Sequence, residues 1–370
     1  MRLLLVSPGL PPDKTGGIEN YVQMIRRGLE KRGHSVTVLT QLHRLRLHDP
    51  NVVQIGLKSG EFRGYAYWAA KAWPKSLAAR CDIVHFNGFP GQILSLAPAL
   101  SPKVVHVHNS LSMEQEWWKN GGIRHNAGYQ IASQAFERAS LVVSPTNVEK
   151  REIIKNSNTD PSKIRVIPNC IDTQFYRREN VMTDVRETYG LQDKFVVLYF
   201  GKIKKTKGIE SLCRAFRYLK RNVDAALIVG GSIPATDDFV THLREAYPEV
   251  IFTGFVKDPR PYYAAADVFS ILTSGFHGGE VFPIALLEAM SMGLPTVCAE
   301  NPIFREITMG NGLFADPESP QSVARKLEDL ALNRDMCMRI GRRNREITLQ
   351  YYNVAEVVNQ LEDAYSSQVR

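Results

Sequence analysis

The feature that most constrains this chain is an alternation of short apolar runs with amphipathic helical stretches, carried through twice. Residues 2–7 (RLLLVS) form an apolar run that ends in Pro-Gly. In residues 15–32 the apolar side chains Ile18, Val22, Ile25 and Leu29 follow spacings of 4, 3 and 4, which is one face of a helix. Gly33 then stops the helix, and residues 35–40 (SVTVLT) read as the next strand. A strand, helix and strand in that order make a right-handed crossover, and hence a parallel sheet. Strand-like runs continue at 83–86, 104–107, 141–144 and 165–167, with helical stretches such as 129–139 between them. Residues 168–193 break the pattern with a polar, charged stretch that reads as an inter-domain connection. A second series then follows at 195–200, 226–229, 250–252, 268–272 and 296–298, separated by helical patterns including 209–219 and 283–292. The expectation is an α/β protein of two Rossmann-like, doubly wound domains, residues 1–177 and 178–351. A last amphipathic helix within 352–370 is expected to cross back to the first domain.

Composition narrows the class. With 370 residues, 44% hydrophobic and 23% charged, the chain is neither disordered nor fibrous. No run of about 18 apolar residues is present, and the first residues enter a strand without a signal-peptide pattern, so a cytoplasmic protein is expected. The five cysteines, Cys81, Cys170, Cys213, Cys298 and Cys337, form no C-x-x-C and read as reduced thiols. Residues 1–177 hold 23 Lys+Arg against 13 Asp+Glu, and the remainder 23 against 25, so the excess positive charge lies wholly in the first half. Such a half suits an anionic membrane surface or an acidic substrate. Nucleic acid is disfavoured, since zinc-finger spacing, an RNP motif and basic heptads are all missing.

Three elements could hold phosphate, although neither G-x-G-x-x-G nor the P-loop pattern occurs. Gly16-Gly17 stands after the first strand and before its helix, where an anion could reach backbone N–H groups; a plain loop turn fits equally. Gly201-Lys202-Ile203-Lys204-Lys205-Thr206-Lys207-Gly208 places four lysines at the carboxyl end of a strand, the edge where open α/β sheets bind ligands. In residues 278–288 (GGEVFPIALLE), Pro283 suits a first helical turn, leaving the N–H groups of Ile284 through Leu286 as free donors. Glu280 would lie outside that helix and Glu288 one to two turns inside it, on a largely apolar stretch where a carboxylate is out of place unless it has work to do.

At these residues the chain resembles the retaining glycosyltransferases of family 4. Glu280 and Glu288, separated by seven residues and followed by EAMSMGLPTV, match the family's E-x₇-E signature. Gly16-Gly17, DIVHFNG, VVHVH, VIPNCID, FGKIKKTKG, VIFTGFV and NGLFADPESP match further family segments in the expected order. The resemblance implies the GT-B fold, two facing Rossmann-like domains with the active site in the cleft between them. It also implies roles. Lys202 and Lys207 would hold the donor diphosphate, Glu288 the ribose hydroxyls, and Glu280 the hydroxyls of the transferred sugar. Backbone from Phe282 and Pro283 to Ile284 and Ala285 would touch the diphosphate, and Val256 would lie near the base. His108 would face the donor sugar, and Gly16 and Gly17 would sit beneath diphosphate and acceptor. His106 and His108 are read as alternating on a strand, one pointing in and one out.

Three departures from the family pattern are visible. Lys202 replaces an arginine, and an ammonium cannot grip phosphate bidentately. Pro283 replaces a commoner glycine, and the FHGG loop is slightly long, with His277 read as a loop residue. No Asp-x-Asp pair occurs and lysines supply the positive charge, so neither metal nor other cofactor is expected beyond the nucleotide-sugar co-substrate. The expected reaction moves a hexose from a UDP- or GDP-sugar to an acceptor hydroxyl with retention, by a front-face route in which the leaving phosphate takes the acceptor's proton. The acceptor is read as a glycan, glycolipid or lipid-linked molecule. Basic residues among Tyr65, Tyr67, Trp68, Trp73, Trp117 and Trp118 suit a carbohydrate platform or peripheral attachment to an anionic membrane. The competing readings are a GT-B sugar-nucleotide epimerase or phosphorylase, and a non-catalytic sugar-nucleotide-binding homologue.

Overall fold

The computed structural model describes residues 1–56, 62–109, 123–232, 238–273 and 281–369. Trp117, Trp118, His277 and Glu280 fall outside these residues. The chain divides into two compact units.

The first unit comprises Met1–Cys170, the short segment ending at Phe282, and the C-terminal stretch from Val354. Its strands are β1 (Arg2–Ser7), β2 (Ser35–Leu42), β3 (Val52–Gly56), β4 (Ile83–Asn87), β5 (Lys103–His106), β6 (Leu141–Ser144) and β7 (Ile164–Val166). They form one sheet in the order β3-β2-β1-β4-β5-β6-β7. Every pairing is parallel, for example Leu5 opposite both Val38 and His85. The helix Gly17–Lys31 buries Tyr21, Val22, Ile25 and Leu29, close to the stripe that its sequence spacing predicts. Gly28 on the same helix receives the C-terminal helix Val354–Val369: a Cβ there would lie 2.6 Å from Val358 Cγ2 and 2.9 Å from Val354 Cγ1. That C-terminal helix buries Val357, Val358, Leu361, Ala364 and Tyr365 in one core with Leu3, Leu5, Val22 and Ile25. Its return to the first domain is therefore a consequence of its apolar stripe, as expected.

The second unit spans Ile171–Gly278 and Pro283–Asn353. Its strands are β8 (Phe195–Phe200), β9 (Ala225–Gly230), β10 (Ile251–Gly254), β11 (Val268–Ile271), β12 (Thr296–Ala299) and β13 (Leu313–Ala315), in the order β10-β9-β8-β11-β12-β13. All are parallel. The near-continuous burial of β8, β9 and β11 is what helices on both faces of a parallel sheet impose.

Several expectations are revised. β3 and β13 extend the sheets beyond the strands read from sequence. β3 is mostly half-buried at an edge and β13 is three residues long, so neither shows a strong apolar run. The polar stretch 168–193 is not a plain linker. It contains the helix Val185–Tyr189 and buries Ile171, Tyr176, Val185 and Leu191. The change of unit comes at 170/171, earlier than the expected 177/178, and Tyr176 accordingly bonds within the second unit. Among the described residues, no helix is long and apolar enough to cross a membrane.

Candidate functional site

Each sheet reverses its strand order at one point, between β1 and β4 in the first unit and between β8 and β11 in the second. Ligands of open α/β sheets bind beyond the carboxyl ends of strands at such a point. Among the described residues, those predicted from sequence follow the carboxyl ends of strands: Gly16 and Gly17 after β1, His108 after β5, Lys202 and Lys207 after β8, Val256 after β10, and Phe282 to Glu288 after β11.

In the second unit the lysine loop leaves β8. The Gly201 N–H donates to Gly230 O and the Ile203 N–H to Ser232 O, both at 3.0 Å. This backbone-to-backbone run requires glycine: a Cβ on Gly231 (φ +128°) would stand 1.7 Å from Gly201 O. The Tyr199 hydroxyl donates to Lys202 O at 3.0 Å. Lys205–Lys207 form one 3₁₀ turn that ends at Gly208, whose φ is +69°. A Cβ on Gly208 would meet Leu272 O at 2.3 Å, so the turn is pressed against the end of β11. Lys202 is exposed and Lys207 half-buried, on the loop that leaves the carboxyl end of β8.

The helix Ile284–Ser291 follows β11. Pro283 is its N-cap, in an extended conformation (φ −71°, ψ 118°), and not a residue of its first turn. The Leu286 N–H already donates to Pro283 O at 3.1 Å, so it is not one of the free donors expected there. Ile284 and Ala285 remain half-buried at a helix start with no side-chain cap, and they carry the positive end of its dipole. Phe282 groups with the first unit, where its carbonyl accepts from Asn169 Nδ2 at 3.4 Å.

Glu288, on that helix, is 8% exposed, and each of its oxygens is held. The Tyr176 hydroxyl donates to Oε1 at 2.6 Å and the Tyr263 hydroxyl to Oε2 at 2.7 Å. Burial pushes the Glu288 carboxyl above its ordinary range, and the two tyrosine hydrogen bonds oppose that rise. The same burial, with Glu288 beside them, pushes both phenols well above theirs. Arg345 fixes the segment that delivers Tyr176: its guanidinium donates to Thr173 O (2.9 Å), Tyr176 O (3.0 Å), Ser291 O (2.6 Å) and Ser291 Oγ (2.7 Å). Each carboxylate oxygen keeps a second lone pair for a ligand hydroxyl. Sequence reasoning found Glu288 but missed Tyr176 and Tyr263; their only signals were aromatic residues in the polar run QFYRR and in RPYYAAADVF. Val256 is half-buried beyond the end of β10, after Gly254 with φ +69°.

In the first unit Gly16 caps the helix Gly17–Lys31 in an extended conformation, and the exposed Gly17 begins it. The start of this helix already has a resident anion. The Glu19 carboxylate folds back to within 2.5 Å of where a Gly16 Cβ would stand, and pairs with Lys14 at 3.1 Å.

His108 lies just past β5. Its ring stacks on His106 with centroids 4.3 Å apart, at an interplanar angle of 9°, and His106 stacks on His85 at 5.5 Å. The reading of one ring in and one out is therefore wrong, because residues two apart in extended chain share a face. Burial, then the neighbouring His85, brings the His108 imidazole down to about 3; burial alone does the same for His85. All three rings are held neutral, His106 by burial and its two neighbours, with Asn169 opposing.

The aromatic platform is partly core. Trp68 is completely buried against Leu4, Val6 and Phe136. Trp73 is 38% exposed, and its indole N–H donates to Pro98 O at 2.9 Å. Tyr67 has the Lys71 ammonium 5.1 Å over its ring, and Tyr65 packs edge-on against Phe89.

Two doubly wound parallel sheets of this order, with a C-terminal helix returned to the first, are the GT-B architecture. Solved structures agree: Anabaena HepE in complex with UDP and glucose matches with a TM-score of 0.80 at 21% identity, covering 99% of this chain and 100% of that one. The family model for glycosyltransferase family 4 matches residues 15–175, and that for glycosyl transferases group 1 matches residues 182–347. An uncharacterized glycosyltransferase of Methanocaldococcus jannaschii is 26% identical over 88% of this chain and 87% of its own length. A GDP-mannose-dependent alpha-(1-6)-phosphatidylinositol monomannoside mannosyltransferase of Mycobacterium tuberculosis is 28% identical over 95% and 94%. The chain belongs to the family 4 glycosyltransferases, and it is an enzyme of that class.

Proposed function

We propose that this enzyme transfers a hexose from a UDP- or GDP-sugar to the hydroxyl of a glycan, glycolipid or lipid-linked acceptor, with retention of anomeric configuration. One observation carries the reading. At the switch point of the second sheet, a glycine-pinned loop carrying Lys202 and Lys207 leaves β8 and packs on the end of the neighbouring β11, the strand that precedes the helix whose fifth residue is the buried Glu288. The diphosphate takes the lysines and the N–H groups of Ile284 and Ala285, next to Phe282 and Pro283. The ribose hydroxyls donate to the remaining lone pairs of Glu288, and the base lies by Val256. Glu280 and His108 hold the transferred sugar, and Gly16 and Gly17 border diphosphate and acceptor. The UDP, glucose and UDP-glucose complexes of HepE support a nucleotide-sugar donor, and the mycobacterial relative's name supports a lipid-linked acceptor.

The chemistry follows from the charges. As the C1–O bond to the diphosphate breaks, negative charge grows on its oxygen, and fixed cations stabilise it without a metal. The acceptor oxygen bonds to C1 on the face the phosphate leaves, and its proton passes to the departing phosphate oxygen. No nucleophilic carboxylate takes part, so a trapped glycosyl-enzyme would refute this route. On the first unit, exposed Trp73 and the neighbouring Lys71, Lys75 and Arg80 suit a peripheral contact with anionic lipid on the cytoplasmic side.

The direct test incubates the purified chain with UDP-, GDP- and ADP-sugars and a panel of lipid-linked and soluble acceptors, with and without a chelator. Products are read by mass spectrometry and the anomeric proton by NMR. Transfer with a retained configuration that survives chelation is expected. An inverted product, or activity abolished by the chelator and restored by a divalent ion, would refute the corresponding part.

A further inference from the structure

Asn87 closes β4, at the strand-order switch point of the first sheet, next to the His108 ring. Its side chain is completely buried. The carboxamide Nδ2 lies 3.2 Å from Val6 O and 3.4 Å from His85 O. Carbonyl oxygens only accept, so the NH₂ end of the amide must face them. The other end, Oδ1, then faces His108 Nε2 at 3.0 Å. An amide oxygen also only accepts, so Nε2 must carry the proton. In a neutral imidazole that leaves Nδ1 as a bare lone pair, and among the described residues the His108 ring is hydrogen-bonded through Nε2 alone. The ring plane is set independently by the His106 stack and by Tyr21, edge-on at 5.4 Å.

We infer that Asn87 is a positioning residue: two backbone carbonyls orient its amide, the amide fixes His108 as the Nε2–H tautomer, and His108 Nδ1 thereby serves as an acceptor for a hydroxyl of the transferred sugar. The inference rests on the reading of His108 as a sugar contact, and it adds a direction: the sugar donates and the imidazole accepts. A cationic or Nδ1-protonated His108 would present a donor there and repel the same hydroxyl hydrogen.

The test uses the full chain with isotope-labelled histidine and long-range proton–nitrogen correlation spectra at neutral pH, His108 being identified by the signal lost in His108→Gln. The wild-type ring is expected to show a protonated Nε2 and a bare Nδ1. Asn87→Leu removes the acceptor and is expected to move protonation toward Nδ1, whereas Asn87→Asp keeps an acceptor at Nε2 and is expected to keep Nε2 protonated. In turnover, Asn87→Leu is expected to lower kcat/KM about tenfold, the value of one lost hydrogen bond of about 1.4 kcal/mol. The double variant with His108→Gln is expected to be no worse than His108→Gln alone. A protonated Nδ1 in the wild type, an unchanged tautomer in Asn87→Leu, or additive losses in the double variant would overturn the inference. If Asn87→Leu does not fold, the wild-type spectrum and Asn87→Asp still decide it. A correct tautomer combined with full transfer activity in His108→Gln would instead sink the sugar-contact reading and leave Asn87's hold on the ring intact.

Discussion

Replacing Tyr176 and Tyr263 with phenylalanine, singly and together, isolates the buried carboxylate on which the second unit is built. Each hydroxyl donates to one oxygen of Glu288, at 2.6 Å and 2.7 Å. A hydrogen bond to a charged group contributes about 1.5–3 kcal/mol, so each single variant should lose about 2 kcal/mol. The double variant cannot keep losing at that rate, because Glu288 has an alternative: it can take a proton. With an ordinary value of 4.5, protonating it at pH 7 costs about 3 kcal/mol, which caps the loss. The cap gives the variant a pH signature. Its folded carboxyl lies above the unfolded value, so folding binds a proton and stability declines as pH rises above about 4.5. Between pH 7 and pH 5.5 the protonation cost shrinks to about 1.4 kcal/mol, and the double variant should recover about 2 kcal/mol relative to wild type. Urea unfolding followed at several pH values reads this directly. A double variant within 0.5 kcal/mol of wild type, on the about 1 kcal/mol scale of ordinary substitutions, or a deficit independent of pH, would refute the reasoning.

Other outcomes follow from the same structure. His85 is completely buried and held near 3, below its ordinary 6.5, so stability present above pH 6.5 should be lost on acidification toward pH 3 at about 1.4 kcal/mol per pH unit. Urea midpoints that stay flat over that window would contradict the neutral histidine column. Gly28→Leu should force apart the packing of the helix Gly17–Lys31 on the C-terminal helix, because even a Cβ meets Val358 at 2.6 Å; overpacking of about 1–3 kcal/mol should lower the melting midpoint, and an unchanged midpoint would exclude the close approach. Gly208→Ala, at φ +69° with Leu272 O at 2.3 Å, should displace the lysine turn and weaken donor binding more than it lowers stability. Equilibrium binding equal to wild type would show that the turn's position does not matter.

Much of the architecture was legible because its signals are local. The helix face Ile18, Val22, Ile25 and Leu29, the run FVVLYF, and the glycines that bound the lysine loop each declare their structure within a few residues. The return of the C-terminal helix was legible from a late apolar stripe with no strand left to cover. What was hidden depends on distant pairs. Tyr176 and Glu288 are 112 positions apart, and only the folded second unit brings the phenol to the carboxylate. Asn87 reads as a strand-end residue until Val6, His85 and His108 surround it. The histidine pair is a different case. The two-residue periodicity of extended chain puts His106 and His108 on one face, and a reading that separated them contradicted the rule it used. The first-turn assignment of Pro283 erred by one residue, and the Leu286 N–H is taken by an i→i−3 bond to Pro283 O, a 3₁₀-type tightening of the first turn.

Donor recognition at the switch point of the second unit is the claim on which the remaining roles depend. Calorimetric titration of UDP-, GDP- and ADP-sugars into the wild-type chain and into Lys207→Ala tests it most directly. Saturable binding of one nucleotide class is predicted for the wild type, weakened at least about tenfold when the ammonium is removed, as the loss of a charge-assisted phosphate contact requires. Equal affinity in Lys207→Ala, or no binding of any nucleotide-diphosphate sugar, would contradict the account.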